Sequence, residues 1–234
     1  MAPYHIRKYQ ENDRKGVLDV FSAGLIEYAP TTFRHILKLP RTLVLLLGGP
    51  LTIFLVSGSW VLPLMTSLAL LVVLRLLAKY PWTEYGVRAL NTDMSDITKT
   101  YLTEQGSCFW VAESEAQVVG MVGCLPAENP ALRRKQLQLL HLFVALEHRG
   151  QGMAKALVRT VLQFAHDQGY SEVILSTSAL QHSAQGLYES FGFQKMHRLY
   201  YSLIWRVIAV PGTYFIYHLP TSQVPQAPQQ GEDL

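Results

Sequence analysis

LQLLHLFVALEHRGQGMAKALVRTVLQFA, residues 137–165, carries the clearest structural signal in the chain. Its first part is an apolar run that predicts a strand, and the part from about Gly150 to Gln168, closed by Gly169, predicts a helix. Gly150 and Gly152 stand in the turn between them. Backbone N–H groups at a helix start are unpaired, the helix dipole favours negative charge there, and glycine lets a ligand approach closely. The stretch therefore predicts a strand, turn and helix that can hold a diphosphate.

Composition narrows the class of protein. The patterns GxGxxG and GxxxxGK[ST] do not occur, which disfavours nucleotide-dependent oxidoreductases and NTPases. The net charge of +3 suits an anionic ligand or membrane leaflet, and no basic stripe interleaved with aromatic residues predicts a nucleic-acid partner. Cys108 and Cys124 lie in apolar runs, so buried free thiols are expected rather than a disulfide or metal site. Charged residues make up only 16% of the chain, so apolar residues must be concentrated somewhere.

An uncharged apolar segment runs from Thr42 to Leu74. About 20 apolar residues cross a bilayer as a helix, so this segment is too long for one pass and slightly short for two comfortable ones. A Ser-Gly-Ser cluster, residues 57–59, lies near its midpoint, and Pro50 and Pro63 can kink each half. We therefore predict a membrane hairpin or re-entrant loop, the alternative being a buried core hairpin of a soluble protein.

Both flanks of this segment are basic, which favours cytoplasmic ends. Trp82 and Tyr85 follow the segment and are predicted to anchor it at the membrane interface. The basic residues are Arg34, Lys38 and Arg41 before the segment and Arg75 and Lys79 after it.

The remaining sequence alternates strand-like and helix-like runs. A strand over 5–9 and a helix capped by Asn12 or Asp13 open the chain. Further helices are predicted from Asp93 or Ser95 to Tyr101 and over 183–191, and further strands over 107–113, 118–125, 173–176, 199–210 and 214–219. We predict a mixed α/β domain built from residues 1–35 and 81–220, an inserted membrane hairpin over 36–80 and a disordered tail over 221–234.

Two motifs resemble the GNAT acetyltransferase superfamily. The turn Arg149-Gly150-Gln151-Gly152-Met153-Ala154 matches [QR]xxGx[GA], and QHSAQGLYESFGF, residues 181–193, is similar to NxxAxxLYxxxGF, with Gln181 where Asn is usual. The resemblance implies a mostly antiparallel twisted sheet flanked by helices, acetyl-CoA as co-substrate and no metal. It also implies that acetyl-CoA is held by Leu142, Phe143, Val144, Arg149, Gly150, Gln151, Gly152, Met153, Ala154, Lys155 and Gln181.

The same resemblance implies direct transfer of acetyl from the thioester to an amine. Tyr188 is the candidate acid for the departing CoA thiolate, and a main-chain N–H near Val144 is the candidate donor to the acetyl carbonyl. His141 is the candidate base, although strict alternation places it opposite Leu140, Leu142 and Val144 unless a bulge resets the parity. Weaker candidate bases are Glu147, His148 and Glu128.

Wider similarity points to the camello-like branch, membrane acetyltransferases related to cysteinyl-conjugate N-acetyltransferase. It covers nearly the whole chain except the tail and rests on PWTEY (81–85), NTDMSDITKTYL (91–102), GSCFWVAESE (106–115) and QLQLLHLFVALEHRGQG (136–152). It implies acetylation of the free amine of cysteine S-conjugates, giving mercapturic acids. The alternatives are acetylation of protein lysines, histones included, or a membrane interaction protein affecting cell adhesion with a degenerate acetyltransferase domain. The expected location is the endoplasmic reticulum membrane, with the catalytic domain facing the cytosol.

Overall fold

Seven strands form one open sheet in the part of the chain that the computed structural model describes, residues 4–103 and 105–220. The order across the sheet is β1-β2-β3-β4-β5-β7-β6, and every neighbouring pair is antiparallel except β4 and β5. The predicted tail, 221–234, lies outside the described residues. The strands are β1 Tyr4–Lys8, β2 Cys108–Ser114, β3 Gln117–Pro126, β4 Gln136–Val144, β5 Glu172–Ser178, β6 Gln194–Leu199 and β7 Gly212–His218.

Helices cover both faces of this sheet and form the long insertion. Short 3-10 turns at Glu11–Asp13 and Leu146–His148 and a π-helical turn at Thr98–Leu102 accompany them. The helices are α1 Arg14–Ile26, α2 Tyr28–Leu37, α3 Pro40–Ser57, α4 Val61–Asn91, α5 Met153–Asp167, α6 His182–Phe191 and α7 Leu203–Val207. The mixed α/β architecture predicted from the sequence is present.

Successive side chains along each strand point to opposite faces of the sheet, and an apolar core lies on each face. Leu137 and Leu139 of β4 share a core with Leu157 of α5 on one face. Phe21 of α1 belongs to the core on the other face. Gly24 lets α1 approach the sheet closely, because a Cβ at that position would collide with the ring of Phe143. Helix α1 is therefore held directly over the end of β4.

Helices α3 and α4 form the apolar insertion that the sequence predicts. Both are long and apolar enough to cross a membrane, and only 6% and 17% of their most apolar windows are buried. Gly58, in the left-handed region at φ 62°, ends α3 within the predicted turn. Pro50 lies inside α3, and Pro63 lies in the first turn of α4, where proline is tolerated. Helix α4 continues to Asn91, well beyond the uncharged run.

Trp82 belongs to the core, so the prediction that it anchors the membrane interface is wrong. Its side chain is buried, its ring stacks on Tyr28 and meets Trp205 edge-on, and its indole N–H donates to Thr32 at 2.8 Å. Tyr85, the second predicted anchor, is 40% exposed, with its hydroxyl turned toward β4. The cause is that α4 runs on past its apolar segment and packs against α2.

The predicted strand over 199–210 is also wrong. Strand β6 ends at Leu199, and helix α7 follows it. The periodicity of a short apolar run does not distinguish a strand from a helix. In the structure this run is helical and places Trp205 against Trp82. Ala209, at φ 53°, then turns the chain toward β7.

Candidate active site

Strands β4 and β5 diverge and leave a gap in the middle of the sheet. They pair at three positions, Gln136 with Glu172, Leu137 with Val173 and Gln138 with Ile174. Beyond these positions β4 stays paired with β3, and β5 stays paired with β7 as far as Ser178. The main-chain groups of β4 that face the gap have no ladder partner in β5, so they can bond to a ligand.

The turn after β4 presents backbone N–H groups beside this gap. Gly150 and Gly152 have φ of 76° and 80°, and a Cβ built on either meets nothing within 4 Å. The first intrahelical bond of α5 runs from Ala156 N–H to the Gly152 carbonyl. The N–H groups of Met153, Ala154 and Lys155 therefore have no acceptor within the helix, and together with the positive end of the helix dipole they suit an anion.

A cavity of about 400 Å³ lies over the turn. It runs from the end of β4 to the first turns of α5 and α6, and the positive side chains in its wall suit a phosphate-bearing ligand. All the predicted strand-end and turn residues except Gln151 line it, namely Leu142, Phe143, Val144, Arg149, Gly150, Gly152, Met153, Ala154 and Lys155. Its other lining residues are Tyr28, His148, Ser183, Ala184 and Leu187.

The Arg149 side chain is engaged within the protein. Its Nε donates to the Val144 carbonyl at 3.0 Å, and its two terminal nitrogens donate to the carboxylate of Glu27 at 2.6 and 2.7 Å. The bond and charge of Glu27 raise the pKa of Arg149 further above its usual value, although partial burial opposes this. The Arg149 side chain thus ties the turn to the end of α1.

Gln181, at the position where the motif usually has Asn, closes the turn that starts α6. Its amide oxygen accepts from the Thr177 hydroxyl at 2.8 Å and from the Ser178 N–H at 2.9 Å. Its main-chain carbonyl accepts from Gln185 N–H, which starts the helix. The amide NH₂ is the group of Gln181 that remains suited to a ligand contact.

Tyr188 is buried on α6 in the core that α6 shares with the sheet and α5, and it is not among the residues that line the cavity. Its side chain is 5% exposed, and its ring lies against Phe193 and Phe215. Burial raises the pKa of Tyr188 above its usual value, and the nearby Tyr28 hydroxyl, which belongs to the cavity wall, adds to the shift. The phenol therefore keeps its proton at neutral pH and has one to give.

A β-bulge lies at His141. A bulge of this kind is what the sequence required for the His141 side chain to leave the face that strict alternation gives it. Met121 pairs with Phe143 and Gly123 with Leu140, so β4 has one residue more than β3 between these pairs. His141 itself has φ of 51°, a left-handed conformation unusual for a residue other than glycine. Its ring points to the α1 side, where Phe21 meets it edge-on at 5.3 Å.

Two polar side chains bond to the imidazole of His141, and a third bonds to one of them. Its Nε2 lies 2.6 Å from Asp93 Oδ2, and its Nδ1 lies 3.3 Å from the Tyr85 hydroxyl. The Tyr101 hydroxyl donates to the same carboxylate. Burial acts to raise the pKa of Asp93, but the bonds and charge of His141 and the bond from Tyr101 hold it below its usual value. Asp93 is therefore ionised at neutral pH and oriented toward His141.

Sequence reasoning missed this use of Asp93. It treated Asp93 as a cap for a helix ending at Tyr101, whereas the residue lies in a turn and only Thr98–Leu102 is helical, as one π-turn. Two of the weaker candidate bases, Glu147 and Glu128, are exposed, and the third, His148, lies in the cavity wall. Cys108 and Cys124 are buried free thiols, directly opposite each other on β2 and β3.

No group of three or more His, Cys, Asp or Glu side chains that could hold a metal occurs within residues 4–103 and 105–220. The site is thus built from main-chain N–H groups, tyrosines and one histidine–aspartate pair.

Splayed strands, a glycine turn and a buried tyrosine define an acyl-CoA-dependent transferase. In agreement, residues 74–193 match the family model for the acetyltransferase (GNAT) family. Acetyl-CoA is the acyl donor of this fold, and the cavity lies at the turn that the sequence predicts to hold it.

The chain is similar over nearly its whole length to two human N-acetyltransferases. It is 64% identical over 223 residues to N-acetyltransferase 8B of Homo sapiens, covering 95% of this chain and 98% of the relative. It is 63% identical over 224 residues to N-acetyltransferase 8 of Homo sapiens, covering 96% and 99%. The chain belongs to the N-acetyltransferase 8 family of GNAT acetyltransferases, which confirms the predicted family, enzyme class and co-substrate.

Solved structures agree on the fold. An acetyltransferase of the GNAT family from Staphylococcus aureus Mu50 superposes with a TM-score of 0.54 at 17% identity, covering 93% of this chain and 100% of that chain. A second N-acetyltransferase from the same organism gives 0.54 at 14% identity, covering 94% and 100%. The predicted GNAT fold is confirmed.

Proposed function

We propose that this N-acetyltransferase transfers acetyl from acetyl-CoA to the free α-amine of cysteine S-conjugates at a membrane surface. The observation that carries the proposal is the aromatic boundary of the gap beyond the cofactor cavity. On the β4 side the rings of Phe21 and Tyr85 lie against His141, and Phe143, in the cavity wall, meets Phe21 edge-on. On the β5 side Tyr201 bonds to Ser176. Rings at this position suit an acceptor with an apolar sulfur substituent.

The cost of deprotonation favours the same acceptor. Reference pKa values of about 8 for an α-amine and about 10.4 for lysine imply costs near 1.4 and 4.6 kcal/mol at pH 7. A zwitterionic amino acid has a somewhat higher pKa, which narrows this difference. The smaller cost suits a site whose candidate base is a histidine with one paired carboxylate.

The proposed chemistry needs no covalent enzyme intermediate. The amine attacks the thioester in the gap, while a main-chain N–H of β4 near Val144 stabilises the developing oxyanion. Tyr188 protonates the departing thiolate, and His141 serves as base. Leu142 to Val144, the turn from Arg149 to Lys155, and Gln181 hold the cofactor in this proposal.

We propose that residues 36–80 insert in the endoplasmic reticulum membrane and that the catalytic domain faces the cytosol. Strand β1 pairs with β2 from Tyr4 with Ser114 to Lys8 with Trp110, so the sheet contains residues from both sides of the insertion. Only an even number of crossings, or a re-entrant path, is compatible with this pairing. Helix α7 adds exposed apolar residues beside the insertion, including Leu203 and Val207, and Arg41 at the start of α3 donates to the Val207 carbonyl.

The acceptor assignment predicts label transfer to a small molecule. Purified protein is incubated with labelled acetyl-CoA and either S-benzyl-cysteine or protein acceptors, histones among them. We expect acetylated S-benzyl-cysteine to form at a higher kcat/KM than acetyl-lysine. Label found in protein alone would reject this acceptor and support the lysine alternative. Absence of transfer to both, together with no thermal stabilisation by acetyl-CoA, would support the non-enzymatic interaction protein.

The orientation predicts protease access in sealed microsomes. Lys195 and Arg198, on the exposed strand β6, should be cut by trypsin without detergent. A lumenal marker protein in the same vesicles is the control for sealing. Cleavage at these residues that requires detergent would place the catalytic domain in the lumen.

A further inference from the structure

His141 is shielded from the gap in which the acceptor reacts. Its side chain is 3% exposed, and the rings of Phe21 and Tyr85 cover it. Its Nε2 faces Asp93 and its Nδ1 faces the Tyr85 hydroxyl, so both ring nitrogens are already engaged. An acceptor amine therefore reaches the imidazole only through a group that stands between them.

Tyr85 stands at that position. It is 40% exposed as a residue, and its hydroxyl is close enough to Tyr188 and Tyr201 to interact with both electrostatically. Tyr188 is the proposed acid, and Tyr201 bonds to Ser176 on the opposite side of the gap. The Tyr85 hydroxyl lies 3.3 Å from His141 Nδ1, and we take it as the group through which the imidazole reaches the reacting atoms.

Asp93 determines which nitrogen of His141 carries the proton. An ionised carboxylate only accepts hydrogen bonds, so Nε2 donates to it and the neutral ring keeps its lone pair on Nδ1. That lone pair accepts from the Tyr85 hydroxyl. Tyr101 holds Asp93 in place from the opposite side by donating to the same oxygen.

We propose that Tyr85 contacts the acceptor amine and that His141 and Asp93 act behind it as a proton relay. This inference rests on the proposed amine acetylation but not on which amine is used. An N–H bond of the acceptor ammonium breaks and its proton passes to the Tyr85 oxygen, as the Tyr85 proton passes to His141 Nδ1. Tyr85 ends neutral, and the imidazolium is paired with the Asp93 carboxylate. After attack the second amine proton passes to solvent, and Tyr188 gives its proton to the CoA thiolate and takes a new one from solvent. The imidazolium then releases its proton to solvent, so one proton is released per turnover.

The surroundings of the relay match the charge that it carries. Asp93 from the turn after α4 and Tyr85 from α4 bond to the imidazole, and Phe21 from α1 adds an apolar contact. Tyr101 faces the relay through Asp93. One positive charge on the imidazolium thus meets one carboxylate, which stabilises it.

The test uses three variants of the full-length protein in detergent or nanodiscs. Tyr85→Phe removes the contacting hydroxyl. His141→Asn removes the base with a residue that tolerates positive φ. Asp93→Asn keeps an amide oxygen as acceptor for Nε2 and the Tyr101 hydroxyl but removes the negative charge that stabilises the imidazolium. Tyr170→Phe, which removes only a 2.9 Å bond to the Gly106 carbonyl, is the matched control.

Each relay variant should lower kcat/KM for S-benzyl-cysteine at pH 7 by about 100-fold. The loss should shrink as pH rises past the pKa of the acceptor amine, because the free amine needs no base. With 2-aminooxy-3-(benzylthio)propanoic acid, whose amine is uncharged at pH 7, the variants should stay within about threefold of wild type. Thermal stabilisation by acetyl-CoA should persist in all of them and reports an intact fold.

Equal losses on both acceptors at every pH would overturn the relay and leave these residues a structural role. If the wild-type enzyme acetylated only a lysine peptide, the proposal that cysteine S-conjugates are the acceptor would be wrong. The pH series on that peptide would then decide the relay, because the lysine ammonium must lose the same proton.

Discussion

Replacing Tyr188 with Phe should lower kcat by about 1,000-fold, within the range that a positioned acid contributes. The ring keeps its contacts with Phe193 and Phe215, so folding and acetyl-CoA binding should stay close to wild type. What is lost is the proton for the CoA thiolate, which the raised pKa of this buried phenol keeps available at neutral pH. Steady-state kinetics with a fixed acceptor, combined with cofactor titration, separate kcat from cofactor affinity.

Tyr170→Phe is the matched control for this change. It removes a hydroxyl bonded to the Gly106 carbonyl, and the cost is about 1 kcal/mol of stability with no effect on turnover. If Tyr188→Phe retained more than a tenth of wild-type kcat, Tyr188 would not be the acid. A parallel fall in acetyl-CoA affinity would instead assign it to cofactor packing.

Gly152→Val should weaken acetyl-CoA binding by roughly 800-fold, on the basis of two lost charge-assisted hydrogen bonds of about 2 kcal/mol each. The new side chain has space in the empty protein, because a Cβ there meets nothing within 4 Å. That space belongs to the turn where the diphosphate is proposed to lie, so valine would displace the ligand. Isothermal titration with acetyl-CoA measures the loss directly.

Backbone strain is the competing explanation, and Gly169 controls for it. Gly169, which follows the end of α5, has φ of 78°, close to the 80° of Gly152, and is equally open to a Cβ. Valine at either position strains the backbone by about 1–3 kcal/mol. Only Gly152→Val should also lose the ligand. Comparable losses of acetyl-CoA affinity in both variants would mean that strain, and not the cavity, controls binding.

The residues that are proposed to hold acetyl-CoA lie in short local motifs, so the sequence alone could group them. The residues from Arg149 to Lys155 form one continuous turn, so their order in the chain is their arrangement in space. The internal pairing of Arg149 with Glu27 was not predictable, since the two residues are 122 apart in the chain and meet only when α1 packs over the end of β4.

The acceptor half depends on contacts that no local pattern contains. His141 and Asp93 are 48 residues apart, and the face of β4 that His141 occupies is set by one extra residue relative to β3. The alternation of side chains along β4 predicted only that His141 would need a bulge to face the site. Trp82 was misassigned for a related reason, because an aromatic residue after an apolar run has the same sequence pattern in a lipid interface and in a core.

The pairing of β1 with β2 imposes an order on biogenesis. The first strand leaves the ribosome about 100 residues ahead of its partner, and both apolar helices emerge between them. In the membrane arrangement proposed above, the catalytic sheet cannot close until those helices have inserted with their two ends on one side of the membrane. A chain that inserted only one of them would leave β1 in the wrong compartment and the edge of β2 unpaired, a surface prone to aggregation. In that arrangement the sheet can fold only after correct insertion. We therefore expect wrongly inserted chains to be degraded.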